Sequence, residues 1–409
     1  AFKELGRSIP TIEIVDPYGP PGDTMGGASY DSLTHAPQAT FTLPDDEWAA
    51  IALNYTSGTS GRPKGVVYHH RGAYLMTLGT AAAWQVQPYP TYLSVAPMFH
   101  CNGWGHPWLM AMLGATVVFT RVPSPERILE AIRRNGVTHF GAAPVVLQMV
   151  AEAEEGPAVP FDPPIKVMTA GAPPPPSVLE KTRAMGLEVM QVYGLTETYG
   201  HISQCLWQDA WEDLDPAEQA RRQAQQGIAF PMVEEVAVID RETGKSVERS
   251  SDQQGEIAIR GNTVMAGYYK DPEATQEAFK DGWFWSGDAA IVHPDGYMQI
   301  RDRLKDVIIS GGENISSVEV EAILFRHPAV QAAAVVAMPS RRWGEVPCAY
   351  VELREGQSVT SDDILKFCRE HLAGFKTPKA VVFEQLPKTS TGKIQKFQLR
   401  ERAKSMEVD

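Results

Sequence analysis

Residues 56–65 read TSGTSGRPKG and follow directly on the apolar run AAIALNY of residues 49–55. Three glycines, four hydroxyl side chains and one lysine fall within these ten positions. A glycine-rich loop that leaves a strand offers successive backbone N–H groups to an anion, phosphate above all. The Walker pattern GxxxxGK[ST] does not fit. Counted from Gly58, Pro63 stands where the second glycine belongs, and Gly65 stands where a hydroxyl would hold magnesium. The loop therefore reads as a phosphate cradle of another kind. Thr56, Ser57, Gly58, Thr59, Ser60 and Gly61 would form it, with Lys64 adding charge; a plain surface turn is the alternative.

Beyond the loop, short apolar runs alternate with helical patterns. The sequence predicts helices at RGAYLMTLGTAAAW, PERILEAIRRNG, VVLQMVAEAEEG and SVLEKTRAMG, and strands at YLSVAP, ATVVFT, THFGAAP, IKVMTAG and LEVMQVYG. This alternation implies an α/β layered domain with a largely parallel sheet. Ligands in such folds bind at the carboxyl ends of strands, where TSGTSG, TAGAP and VYGLTE are all expected. From about residue 228 the pattern turns β-rich, a small barrel or distorted sheet that includes the hairpin AAIVHPDGYMQI. Residues 305–409 carry an α/β pattern of their own and are long enough for a small separate domain. The expected division is therefore 1–304, a large domain, and 305–409, a small mobile one, with the boundary in RDRLKD.

The 409 residues are 43% hydrophobic and 21% charged, and the formal net charge is -13. That acidity argues against nucleic acid as a main partner. Cys101, Cys205, Cys348 and Cys368 lie far apart without metal-finger spacing, and read as free thiols of a reducing, cytoplasmic setting. No apolar run approaches the roughly 20 residues of a membrane span.

Further motifs follow in order: TAGAP, YGLTET, GYY, WFWSGD, RDRLKDVIISGGENIS and PKTSTGKIQK. Together with the glycine loop, and from residue 55 to about 396, they resemble the adenylate-forming superfamily of acyl-CoA synthetases, luciferases and peptide-synthetase adenylation domains. The resemblance implies ATP, magnesium and coenzyme A as cofactors and an acid–CoA ligase reaction. Glu197 would be the magnesium ligand and Thr196 a contact to the α-phosphate. Tyr193, Gly194, Gly171, Ala172 and Pro173 would surround the adenine, while Asp288 and Arg303 would hold the ribose. Taken singly, the acids and the arginine also fit solvated surface charges, and Tyr193 also fits a core residue. Lys393, in STGKIQK, matches the lysine that bridges acyl carboxylate and α-phosphate.

The family works by two half-reactions in two orientations of the small domain. Lys305 matches the hinge, and Ser310, Gly311 and Gly312 match the passage for the pantetheine arm, with Lys376 and Lys379 as candidates for CoA phosphates. MFHCNGWGH is expected to wall the acyl pocket through His100 and Trp104, with Gly171 facing them. A bulky Trp104 favours a small or medium acid. The texture of the chain is similar to the medium-chain branch of acyl-CoA ligases and, within it, to ligases of 3-methylmercaptopropionate, which implies a slim thioether acid and a place in dimethylsulfoniopropionate (DMSP) catabolism. Alternatives are a different acceptor, carrier protein or oxygen, or a non-catalytic nucleotide-binding fragment. Only 55 residues precede the phosphate loop, far fewer than in the family. The expected assembly is accordingly a homodimer, or association with the missing N-terminal segment.

Overall fold

The computed structural model describes all residues except 1–5, 7–9, 20, 21, 23–25, 36–39, 41, 57–62, 154, 155, 158, 173, 251, 252, 390–393 and 407–409. Ala1–Asp46 and Glu47–Asp409 form separate compact units. In the first, Ile12–Glu13 pairs in parallel with Ala28–Ser29, and Ser29 caps the short helix Tyr30–Thr34.

The second unit is built on a seven-stranded sheet. Its order is Ile228–Ala229, Ser203–Gln204, Leu187–Tyr193, Ile165–Thr169, His139–Ala142, Thr91–Ser94, Thr116–Phe119. The last five in this order run parallel, and the first two are antiparallel additions at one edge. Helices cover both faces because the central strands carry apolar residues on both. Phe140, Val167 and Val189 meet Ile128, Leu129, Leu147 and Leu179 on one side; Met168 and Val192 meet Met76, Leu109 and Met110 on the other. The helix Pro125–Asn135 shows how the sequence sets an element. Ser124 accepts a hydrogen bond from the Arg127 N–H, Pro125 opens the first turn, and Gly136 ends the helix at φ 62°. Its buried residues Ile128, Leu129 and Ile132 recur at helical spacing.

The glycine loop departs from the expectation that it extends a strand of the parallel sheet. It joins Ala50–Thr56 to Lys64–His69, an antiparallel hairpin in a separate three-stranded sheet completed by Gly267–Tyr268. The reason lies in KGVVYH, which follows the loop directly, buries Val66 and Tyr68 fully and pairs back on Ala50–Thr56. The β-rich region is a five-stranded antiparallel sheet with register shifts between Glu256 and Ala258 and between Ala289 and Ala290. Residues 308–383 form another five-stranded sheet, in which the long pair Val330–Ser340 and Gly344–Leu353 buries Ala333 and Val335 on one face and Ala334 and Val336 on the other. This region is tied to the strand Met298–Arg303 by the Ser317 N–H to Asp302 (2.5 Å) and the Ser316 hydroxyl to the Arg301 carbonyl (2.5 Å), while Arg400 of the helix Lys396–Ala403 pairs with Asp306 in the turn that follows the strand.

Candidate active site

Two turns at the strand ends gather most of the candidate residues. The strand Leu187–Tyr193 ends at Gly194, where a Cβ would lie 1.2 Å from the Gly200 carbonyl oxygen, so only glycine fits. The chain then makes the short 3-10 turn Thr196–Thr198, braced by Thr198, whose hydroxyl accepts from the Leu195 N–H at 3.0 Å. Thr196 and Glu197 are thereby presented at the sheet end. The Tyr68 hydroxyl donates to the Thr196 carbonyl (2.7 Å), and the ring of Tyr68 stacks on Tyr199 at 3.8 Å. The Met265 N–H donates to the Glu197 carbonyl at 2.8 Å. On the side chains, the Cys101 thiol approaches the Thr196 hydroxyl at 3.6 Å, and the Tyr268 hydroxyl donates to Glu197 Oε1 at 2.9 Å. Burial raises the pKa of Cys101 and of Tyr268, and for Tyr268 the neighbouring Glu197 adds to it, so both stay protonated donors.

A second station lies beside the first. Asp288 and Arg303 are cross-strand partners in the hairpin of Trp283–Val292 and Met298–Arg303, which places guanidinium Nε 2.5 Å from Asp288 Oδ1. The Tyr193 hydroxyl donates to the other carboxylate oxygen at 2.5 Å. Burial, then the Asp288 charge, raises the Tyr193 pKa well above the ordinary phenol value. Tyr193 is 9% exposed, so little of its ring face is open to a base. Gly171 and Ala172 are exposed just beyond the strand Ile165–Thr169, and Gly171 holds φ 96°.

The phosphate-loop candidates Thr56 and Lys64 face each other as the last register pair of their hairpin. Lys64 Nζ lies 4.7 Å over the Tyr268 ring. Ser57, Gly58, Thr59, Ser60, Gly61, Pro173 and Lys393 lie outside the described residues. The hinge candidate Lys305 is an exposed residue in the turn between Met298–Arg303 and Ile308–Ser310; partial desolvation of its ammonium, then Arg400 and Arg303, lower its pKa to about 8. Gly311 packs against Trp343, whose carbonyl accepts from the Gly311 N–H at 2.8 Å. Gly312 holds φ 90° and Ser310 pairs with Gly344. Lys376 is gripped by both carboxylate oxygens of Glu319 at 2.8 Å, so it would have to exchange that pair for a CoA phosphate.

The pocket segment takes a form that periodicity could not announce. Cys101, Asn102, Gly103, Trp104 and Gly105 all have positive φ, between 48° and 71°, and form a left-handed turn that starts from His100. Such backbone costs roughly 1–2 kcal/mol for each residue with a side chain. It is held in part by the Asn54 amide, which donates to Asn102 at 2.8 Å. The turn buries Trp104 against Ala96, Cys101 and Ala170, the last being next to Gly171. Behind Trp104 stand His106 and His201, with ring centroids 6.0 and 6.2 Å from it, and both are enclosed. Burial lowers the pKa of His201 to about 4 and that of His106 well below its usual range, so both are neutral. The His106 Nδ1–Tyr92 hydroxyl contact is 2.8 Å. Sequence reading missed Tyr68, Tyr268, Cys101, His106 and His201. GYY contained Tyr268 and MFHCNGWGH contained Cys101 and His106, whereas Tyr68 and His201 lay outside every quoted motif.

Residues 11–269 match the family of AMP-binding enzymes, and residues 319–393 match the AMP-binding enzyme C-terminal domain. The peroxisomal acetate/butyrate–CoA ligase of Arabidopsis thaliana is 50% identical over 391 residues, 94% of this chain and 69% of that protein. The 2-methylpropanoate–CoA ligase of Humulus lupulus is 48% identical, over 90% of this chain and 67% of its own length. Among solved structures, ATP-bound MatB from Rhodopseudomonas palustris superposes with a TM-score of 0.80 at 27% identity, covering 92% of this chain and 75% of that one. The o-succinylbenzoate CoA synthetase of Bacillus subtilis with its acyl-adenylate intermediate gives 0.78 at 29%, covering 91% and 74%. The chain belongs to the AMP-binding enzyme family. Within it, the chain is an AMP-forming acid–thiol ligase.

Proposed function

We propose that the chain adenylates a small carboxylic acid at the Thr196–Glu197 turn and transfers the acyl group to CoA after its small domain rotates. The observation that carries this reading is the pairing of two polar stations at one sheet end. Thr196, Glu197, Tyr268 and Lys64 make the first; Tyr193, Asp288 and Arg303 make the second.

An acid carboxylate must approach the α-phosphate of ATP, anion to anion, so positive charge and aimed donors are needed there. Lys64 and the glycine loop would neutralise the departing pyrophosphate, and the Thr196 hydroxyl would donate to the α-phosphate. Asp288 has lone pairs left for ribose hydroxyls beyond those given to Tyr193 and Arg303. Glu197 fits magnesium. It is one carboxylate, and among the described residues no three His, Cys, Asp or Glu converge, which suits a cation that takes its other ligands from ATP phosphates. When bound, that ion would neutralise phosphate charge. Lys393 would bridge carboxylate and α-phosphate, then leave as Lys305 swings Ser310–Gly312 inward for the CoA thiol.

Trp104, packed edge-on against the enclosed His106 and His201, would limit the acyl chain to a short one, in keeping with the acetate, butyrate and 2-methylpropanoate named for the relatives. 3-Methylmercaptopropionate is of comparable girth. The test is pyrophosphate release over acetate, butyrate, 2-methylpropanoate, 3-methylmercaptopropionate, benzoate and palmitate, with and without CoA. Short acids should give the highest kcat/KM. A preference for palmitate would overturn the pocket reading, and adenylate without thioester would favour another acceptor.

A further inference from the structure

We propose that Tyr268 is a positioning residue that holds Glu197 and Lys64 apart and aims both at the nucleotide phosphates. The proposal rests on the phosphate-binding role given above to these two residues. Tyr268 offers two different faces of one side chain. Its hydroxyl donates to Glu197 Oε1 at 2.9 Å, and its ring carries Lys64 Nζ at 4.7 Å from the centroid. Among the described residues no ion pair joins Lys64 to Glu197 directly. Such a pair would use up both charges, and each would then have to be desolvated again when ATP arrives. The tyrosine takes one carboxylate oxygen with a neutral donor and seats the ammonium on a π face, so both full charges are retained for ligand.

The backbone makes this placement rigid. The Met265 N–H bonds the Glu197 carbonyl (2.8 Å), the Ala266 N–H bonds the Val67 carbonyl (3.0 Å), and the Tyr269 N–H bonds the Gly65 carbonyl (2.6 Å). The Tyr268 N–H donates to the Thr275 hydroxyl at 2.9 Å. Gly267 holds φ 146°, and a Cβ there would meet Thr275 Cγ2 at 2.9 Å, so the strand lies close against the Thr275 side chain. Residues 265–269 thus strap the Glu197 turn to the base of the phosphate loop, and Tyr268 is the side chain aimed between them.

Tyr268→Phe removes the hydroxyl and keeps the ring; Tyr268→Leu removes both. Binding of MgATP, and of ATP in excess chelator, is measured by calorimetry for these variants, for Glu197→Gln and for the double variant Glu197→Gln/Tyr268→Phe. Tyr268→Phe should weaken MgATP about five- to tenfold and leave metal-free ATP unchanged. Tyr268→Leu should also weaken metal-free ATP about threefold, through Lys64. The double variant should bind no worse than Glu197→Gln, because the hydroxyl acts through that carboxylate. Wild-type MgATP affinity in Tyr268→Phe, or additive losses in the double variant, would overturn the inference while leaving the active-site reading intact. Unchanged MgATP affinity in Glu197→Gln would instead overturn the reading on which it rests.

Discussion

Acid should unfasten the packing behind Trp104, and His201 allows the size of the effect to be worked out. Its ring is 1% exposed and lies among Trp104, His106 and Phe230. Burial lowers its pKa from 6.5 to about 4. The folded pKa is depressed, so the stabilising contribution of the neutral ring is full above about pH 6.5 and is lost as pH falls through that value toward 4. Linkage with these two values gives a loss of about 2 kcal/mol between pH 7 and pH 5 from this one group. His106 and His139 are shifted in the same direction and steepen the decline. Urea unfolding followed by tryptophan fluorescence at both pH values measures it, since Trp84 and Trp104 both lie beside His106. His201→Gln should flatten the pH dependence by about 2 kcal/mol whatever its absolute stability. An unchanged pH dependence in that variant would refute the argument.

Three further outcomes follow from the geometry. Gly194→Ala drives a methyl into the Gly200 carbonyl and should cost about 4 kcal/mol or more, read as a fall in Tm or loss of soluble protein. Trp104→Gly should raise kcat/KM for octanoate relative to butyrate at least about tenfold, and an unchanged ratio would remove Trp104 from the pocket wall. Lys393→Ala should slow adenylation about a hundredfold or more while thioester formation from supplied acyl-adenylate stays near wild type; equal loss in both half-reactions would count against domain alternation.

Much of this was legible in the chain, and the limits have physical causes. Helices such as Pro125–Asn135 declare their caps and buried stripe, and the motifs TAGAP and YGLTET fall at strand ends because chain direction in a parallel sheet puts them there. Asp288 and Arg303 were expected to act together on the ribose only through the resemblance, and hairpin register makes them direct cross-strand partners. The left-handed turn at 101–105 has no periodic signature; Gly103 and Gly105 on either side of Trp104 are its only sequence hint. Tyr68, Tyr268, His106 and His201 act through partners brought near by tertiary packing, at separations of 128 residues for Tyr68–Thr196 and 71 for Tyr268–Glu197. Local pattern carries no information about such pairs.

The proposed reaction joins ATP-driven activation of an acid to thioester formation on one chain. Its most direct test is product stoichiometry with butyrate, ATP, magnesium and CoA, read by chromatography. AMP, pyrophosphate and butyryl-CoA should form in equal amounts, each dependent on the acid. ADP and phosphate as products, or nucleotide turnover that does not depend on any acid, would contradict it.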